Sequence, residues 1–211
     1  MQKAMFILVA ILSLLLLYYG TGRKKRLILL FTVWQSSIGF LAFYQIFKDK
    51  PSLFPLALFG TVLLTIFGLK GIDATKLKSN YLLGIHILRI PVELILYQLY
   101  FQEKIPKLMT FHGWNFDMVM GISAFIILVY HLILKRKINY NFFIIWNRIG
   151  IVLLLIIVSL AILSSPLPIQ QFAFEQPNIA VLEFPYCFLP TCIVPVVLMS
   201  HSLLIQKAFY R

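Results

Sequence analysis

The stretch Leu82–Tyr97 contains three ionisable side chains and a proline within an otherwise apolar, helix-forming sequence. At about 100° per residue, His86, Arg89 and Glu93 lie within about 60° of one another on a helix, so they form one polar stripe. Pro91 removes a backbone hydrogen bond and predicts a bend beside this stripe. Such a stripe can bind an anionic group, relay protons, or pair Arg89 with Glu93.

Polar side chains in three later apolar segments can join this stripe. They are Asp117, His131, Asn147, Arg148, Glu183 and His201. Counting inward at about 1.5 Å per residue predicts two layers. The layer nearer the cytoplasm contains His86, His131, Arg148 and His201. The layer nearer the outside contains Asp117 and Glu183, which Asn115 can join, with Glu93 between the two layers.

A metal or haem site is one chemistry that the histidines can support. His86, His131 and His201 can bind Zn²⁺ or supply axial ligands to haem. They come from three separate segments without a local H-E-x-x-H motif, and Arg148 in the same layer disfavours a bound cation. The sequence therefore favours no metal site and leaves the cofactor unknown. Nucleophilic catalysis has little support, because no serine or cysteine joins a histidine in a recognisable constellation.

The composition indicates a polytopic membrane protein. Hydrophobic residues make up 61% of the chain and charged residues 12%, whereas soluble domains average about half and a quarter. At about 20 residues per span, 211 residues leave room for seven spans and no separate soluble domain. The net charge of +12 does not indicate nucleic acid binding, because lysines and arginines cluster at the ends of apolar segments.

Apolar runs and helix breakers divide the chain into one all-α bundle of seven transmembrane helices. The spans lie near residues 4–20, 27–47, 54–70, 81–101, 116–134, 142–163 and 181–206. Alternating loops place twelve lysines and arginines on one side and five on the other, with Arg89 and Arg148 inside spans. The positive-inside rule then predicts an outside N-terminus, a cytoplasmic C-terminus and a location in the cell (inner) membrane, in contact with the lipid bilayer.

A set of short motifs between residues 84 and 201 carries a family resemblance. The motifs are Arg89-x-Pro91-x-Glu93, Thr110-Phe111-x-Gly113-x-Asn115-Phe116-Asp117, Trp146-Asn147, Leu163-Ser164, Pro177-Asn178, Phe184-Pro185, Leu189-Pro190, Val194-Pro195 and His201. Their order resembles a pattern in a bacterial family of uncharacterised seven-span membrane proteins. The resemblance implies the same membrane bundle and brings no known activity.

Three functions agree with these residues. The leading hypothesis is binding or transport of a small molecule, with proton coupling, through a polar column in predicted helices four to seven. In it Arg89 binds an anionic group or holds Glu93, while Glu93 and His201 exchange protons. The second is an intramembrane enzyme acting on a lipid or quinone with His86, His131 and His201. The third is an accessory or sensory subunit. Neither substrate nor oligomeric state follows from the sequence.

Overall fold

The computed structural model describes residues 1–133, 135 and 139–209. These residues form nine α-helices and contain no strand, so the predicted all-α class is confirmed for them. The helices are α1 (Gln2–Gly20), α2 (Lys25–Phe43), α3 (Ile46–Asp49), α4 (Phe54–Leu69), α5 (Ser79–Ile87), α6 (Arg89–Phe101), α7 (Asp117–Leu132), α8 (Tyr140–Leu163) and α9 (Val194–Phe209). Short 3₁₀ turns occur at Pro51–Leu53, Ala74–Lys76, Lys107–Met109 and Ala180–Leu182, and a π-helical turn occurs at Leu189–Ile193.

Within the described part of the chain, six helical segments are long and apolar enough to cross a membrane, by length and composition. They are Gln2–Gly20, Lys25–Phe43, Pro51–Leu69, Ser79–Phe101, Tyr140–Leu163 and Leu189–Phe209. Helix α7 is also apolar but has 16 residues. At about 1.5 Å per residue it extends roughly 24 Å, which is less than the roughly 30 Å of a bilayer core.

Three predicted spans differ from the helices at their ends. The span at 27–47 is divided, because α2 ends at Phe43 and a turn with Gln45 at φ 61° precedes α3. The span at 181–206 becomes continuously helical only from Leu189, and Pro185 before it cannot donate a backbone hydrogen bond. The span at 116–134 corresponds to α7, and residue 134 lies outside the described residues.

The helices that carry the polar stripe lie at the centre of the bundle. Helix α5 packs against α1, α7 and α9, and α9 also packs against α8 and α4. In 18-residue stretches of Ser79–Phe101 and Leu189–Phe209, 56% and 61% of the residues are buried, against 22% to 39% in the other four segments. On these helices the side chains of His86, Arg89, Glu93, Ser200 and His201 are buried against other helices.

The helix with the polar stripe is interrupted at Leu88. Pro91 has no N–H to donate to the carbonyl of Ile87. The N–H of Leu88 donates to the carbonyl of Ile85 at 3.2 Å, which tightens the turn, and α6 begins at the next residue. This break makes Arg89 the first residue of α6 in the middle of the bundle.

Gln35 of α2 stabilises the π-helical turn that precedes α9. Pro195 lacks the N–H that would bond the carbonyl of Thr191, four residues earlier. The Gln35 Nε2 donates to this carbonyl at 2.6 Å. The Thr191 hydroxyl lies 2.9 Å from Gln35 Oε1 and 2.8 Å from the Cys187 carbonyl. The side chain of Gln35 thus replaces a backbone donor in a buried position.

The segment between α6 and α7 folds back into the bundle. Its residues Ile105, Met109, Thr110 and Asn115 are buried. Asn115 Nδ2 donates to the side chain of Glu93, which lies eight residues before the end of α6 and so about 12 Å inside it. Part of the segment between α6 and α7 is therefore packed inside the bundle.

Candidate functional site

Arg89 is the centre of the buried polar side chains. Its side chain is 2% exposed, and its Nη2 donates to Asp117 Oδ1 at 2.8 Å. Its Nη1 lies 3.5 Å from His201 Nε2. Asp117 is the first residue of α7, where the partial positive charge of a helix N-terminus favours a carboxylate. Arg89 thereby connects α6 with α7 and α9.

The orientation of His201 is set by Asn147 of α8. Asn147 Nδ2 donates to the Phe143 carbonyl at 2.8 Å, so its Oδ1 is available as an acceptor. His201 Nδ1 lies 2.9 Å from this oxygen and is assigned as the protonated nitrogen. The other nitrogen, Nε2, then accepts a hydrogen bond from the guanidinium of Arg89.

His86 packs against His201. The two ring centroids are 3.9 Å apart with the planes tilted by 34°. The ring of His86 is perpendicular to that of Trp146, with the centroids 5.4 Å apart. Ser200 Oγ donates to the Leu82 carbonyl at 2.8 Å, so it accepts from His86 Nε2 at 3.0 Å. His86 Nδ1 is buried and has no hydrogen-bond partner among the described residues.

Glu93 joins the same set through Asn115. Its Oε1 accepts from Asn115 Nδ2 at 2.6 Å, and the Asn115 Oδ1 accepts from the backbone N–H of Asp117 at 3.0 Å. Glu93 Oε2 is buried without a hydrogen-bond partner in the described chain. The predicted pairing of Arg89 with Glu93 is therefore replaced by an Arg89–Asp117 pair and a Glu93–Asn115 pair.

We call this connected set the polar network. It consists of His86, Arg89, Glu93, Asn115, Asp117, Asn147, Ser200 and His201. Three of its buried atoms have no partner in the part of the chain described, namely His86 Nδ1, Arg89 Nε and Glu93 Oε2. A buried polar atom without a partner costs about 1–3 kcal/mol unless water or a ligand satisfies it. The network is therefore suited to bind protons, water or a small polar group.

Three predicted site residues lie outside the polar network. The side chain of Arg148, on α8, is exposed. His131 is half-buried and lines a separate cavity of about 120 Å³ with Tyr140 and Lys207. Glu183 binds Lys104 at 2.5 Å and Lys48 at 3.6 Å. The two predicted layers of polar side chains therefore do not form, because these three residues lie away from the other predicted members.

The histidines do not form a three-ligand set. In the described ranges, no group of three or more His, Cys, Asp and Glu side chains is placed to hold a metal ion. His86 and His201 contact each other through their rings, and His131 lines a separate cavity. His201 Nε2 also faces the cationic Arg89, which opposes a cation at that nitrogen.

Two members of the polar network had little or no place in the sequence prediction: Asn115 was only an optional member of the outer layer, and Ser200 had no role. Asn115 carried a usable signal, because Asn side chains often accept from the backbone N–H two residues later, here that of Asp117. Ser200 carried no signal beyond its position next to His201. Serines in apolar helices commonly bond to their own helix, and only the packing of α9 on α5 brings Ser200 to His86.

The sequence comparisons agree with an uncharacterised family. The family described as a domain of unknown function, DUF8737, matches residues 53–209, which is more than half of the chain. The chain belongs to the DUF8737 family. A search of curated proteins and a search of solved structures each return no match. In this DUF8737 protein the matched region contains the whole polar network, whereas α1, α2 and α3 precede it.

Proposed function

We propose that this chain is a multi-pass protein of the cell (inner) membrane in bacteria, with seven spans, an outside N-terminus and a cytoplasmic C-terminus. Six helical segments have the length and composition of spans, and α7 with the inward-folded residues before it supplies the seventh. The loops divide lysines and arginines twelve to five, which supports this orientation.

Cysteine labelling tests this topology. Lys50→Cys is expected to react with a membrane-impermeant maleimide added to spheroplasts, because Lys50 is exposed on the proposed outer side. Lys76→Cys, whose side chain is 71% exposed in the wild type, is expected to react only after the membrane is permeabilised. The native cysteines Cys187 and Cys192 are buried and serve as the unlabelled background. The opposite labelling pattern would reject the orientation.

We further propose that the protein couples proton uptake to the movement of a small molecule, by exchange of Arg89 between two carboxylates. The observation that carries this proposal is the uneven pairing of one buried guanidinium. Arg89 binds Asp117, while Glu93, one helical turn away, leaves Oε2 without a partner in the described chain. A cation beside two carboxylates has two alternative pairings, and that is what a switch requires.

The two carboxylates differ in access. The Asp117 side chain is 14% exposed, and that of Glu93 is fully buried. In the proposed cycle a proton binds Asp117 and neutralises it, so that Arg89 turns to Glu93. This exchange loosens α6 from α7 and α9, because Glu93 lies on the same helix as Arg89. His86 and His201 supply further sites for protons on the cytoplasmic side.

Proton entry into liposomes tests the exchange. The exchange of Arg89 between the two carboxylates needs only protons. We therefore expect measurable proton entry even when the transported small molecule is absent. Purified protein in liposomes with a proton-sensitive dye inside should acidify the lumen under an inside-negative potential. Glu93→Gln and Asp117→Asn are each expected to lower the initial rate at least tenfold, because neither amide can exchange protons or pair with Arg89 as an ion.

Glu175→Gln is the matched control, because Glu175 is exposed and lies far from the polar network in sequence. Its rate should equal that of the wild type. Wild-type liposomes that acidify no faster than empty ones would reject the proposed relay. Equal rates of proton entry in Glu93→Gln, Asp117→Asn and Glu175→Gln would show that the carboxylates of the polar network do not carry the protons.

A further inference from the structure

An apolar groove lies between α1 and α2, and none of its lining residues belongs to the polar network. It has a volume of about 530 Å³, with Ile7 and Leu14 on one wall, Thr32 and Phe43 on the other, and Phe188 at its base. Thr32 and Phe43 are eleven residues apart on one helix, which is about 16 Å. This length is close to the depth of one leaflet, since the whole hydrocarbon core measures about 30 Å.

A basic cavity adjoins one end of the groove. It has a volume of about 360 Å³ and is lined by Lys3, Lys48, Lys104 and Glu183. Phe43 and Phe184 line both the groove and this cavity, so the two spaces adjoin each other at these side chains. Three ammonium groups face one carboxylate, which leaves an excess of positive charge at the end of an apolar groove.

The lysines of the basic cavity come from segments that are far apart in the chain. The loops on the proposed outer side contain five lysines in total, and three of them, Lys3, Lys48 and Lys104, come together at this cavity from separate segments. Glu183 accepts from Lys104 at 2.5 Å and lies 3.6 Å from Lys48 Nζ, so it holds both ammonium groups at the cavity. Side chains that are already positioned lose less conformational freedom when they bind an anion.

We propose that the groove and the basic cavity together bind one anionic phospholipid of the bilayer. An acyl chain occupies the groove between α1 and α2, and the phosphate group contacts Lys3, Lys48 and Lys104. The charge excess selects an anionic over a zwitterionic head group, and the apolar walls favour the acyl chain. This site rests on the membrane placement proposed above and is independent of proton exchange at Arg89.

Native mass spectrometry tests the site with phosphatidylglycerol and phosphatidylcholine as probes. The full chain in mild non-ionic detergent receives equal amounts of both lipids. We expect one retained phosphatidylglycerol per protein, with at least a tenfold preference over phosphatidylcholine. Lys48→Gln should lower this preference about fivefold, because each lysine near an anionic lipid contributes to binding. Lys50→Gln, an exposed neighbour that does not line the cavity, should leave it unchanged.

Two adjacent serines give a matched pair for the groove. Ser36 and Ser37 are both exposed on α2, and each hydroxyl donates to the carbonyl four residues earlier. Only Ser36 lines the groove, so Ser36→Trp should fill it and lower lipid retention at least tenfold, while Ser37→Trp should not.

Equal retention of the two lipids by the wild type would overturn the proposed site, as would an equal effect of the two tryptophan substitutions. Proton entry is measured on the same variants. If a variant loses lipid binding but keeps normal proton entry, the lipid site and the proton relay are separate. If the wild type selects phosphatidylglycerol but shows no proton entry, only the relay is rejected.

Discussion

Arg89→Ala is expected to lower the free energy of unfolding by about 3–5 kcal/mol, the largest effect of any single substitution proposed for this protein. Removing one partner of a buried ion pair leaves the other charge without compensation. Here the loss affects Asp117, which is bound at 2.8 Å, and His201, whose Nε2 lies 3.5 Å from the guanidinium. The measurement is reversible unfolding in mixed detergent micelles.

Two further variants identify the cause of this loss. Arg89→Lys keeps the charge but lacks the planar guanidinium, whose several donors reach both Asp117 and His201. The free energy of unfolding of this variant should therefore lie between those of the wild type and Arg89→Ala. The double variant Arg89→Ala with Asp117→Ala should recover part of the stability, because it removes the uncompensated carboxylate. Arg148→Ala is the control, since Arg148 is exposed and outside the polar network. A loss below about 0.5 kcal/mol for Arg89→Ala would contradict a stabilising ion pair.

Gly150→Ala is expected to destabilise the protein by about 1–3 kcal/mol, although helix propensity alone favours alanine by about 1 kcal/mol. A β-carbon at Gly150 would collide with the ring of His201 and would lie 2.8 Å from Met120 Cε. Either α8 moves away or the imidazole turns. A shift of α8 breaks the contact of His201 with Asn147, and a turn of the imidazole also breaks its contact with Arg89. We therefore expect proton entry into liposomes to fall together with stability.

Gly84→Ala is the matched control for this substitution. A β-carbon at Gly84 would meet only the Leu16 methyl groups at 3.6 Å, which is an ordinary contact. We expect Gly84→Ala to be neutral or stabilising. Nitrogen-15 NMR of the histidine side chains reports the tautomer of His201 directly, and Gly150→Ala should remove the Nδ1–H signature. Equal stability of the two alanine variants, with this signature intact in both, would contradict the close contact of His201 with α8.

The residues that α5 and α6 contribute to the polar network were predictable from the sequence, because helix geometry decides which of them share a face. His86, Arg89 and Glu93 share one helix face by their spacing, and the break at Leu88 does not separate them. The high cost of a charge in an apolar interior also predicted that Arg89 would find a polar partner. The identity of that partner was not predictable. Asp117 lies 28 residues away, and the helix spacing pointed to Glu93 instead.

Asn147 and Arg148 show the limit of prediction from helix periodicity. The two residues are neighbours on α8, yet Asn147 is fully buried against His201 and Arg148 is exposed. In an apolar helix every face resembles every other, so the sequence does not indicate which side meets other helices. Glu183 shows a second limit. Glu183 follows the 3₁₀ turn Ala180–Leu182 and lies outside α9, which begins at Val194. There it binds Lys104 and Lys48.

The sequence by itself determined the helical character of this protein, the approximate extent of its apolar segments and the shared face of the polar stripe. These properties depend on composition and on residues within a few turns of each other, where the 3.6-residue repeat fixes geometry. The tertiary structure alone decided which helices meet, which carboxylate binds Arg89, and where His131, Arg148 and Glu183 lie. Those choices depend on close packing and hydrogen bonds between segments far apart in the chain, and they follow no local repeat.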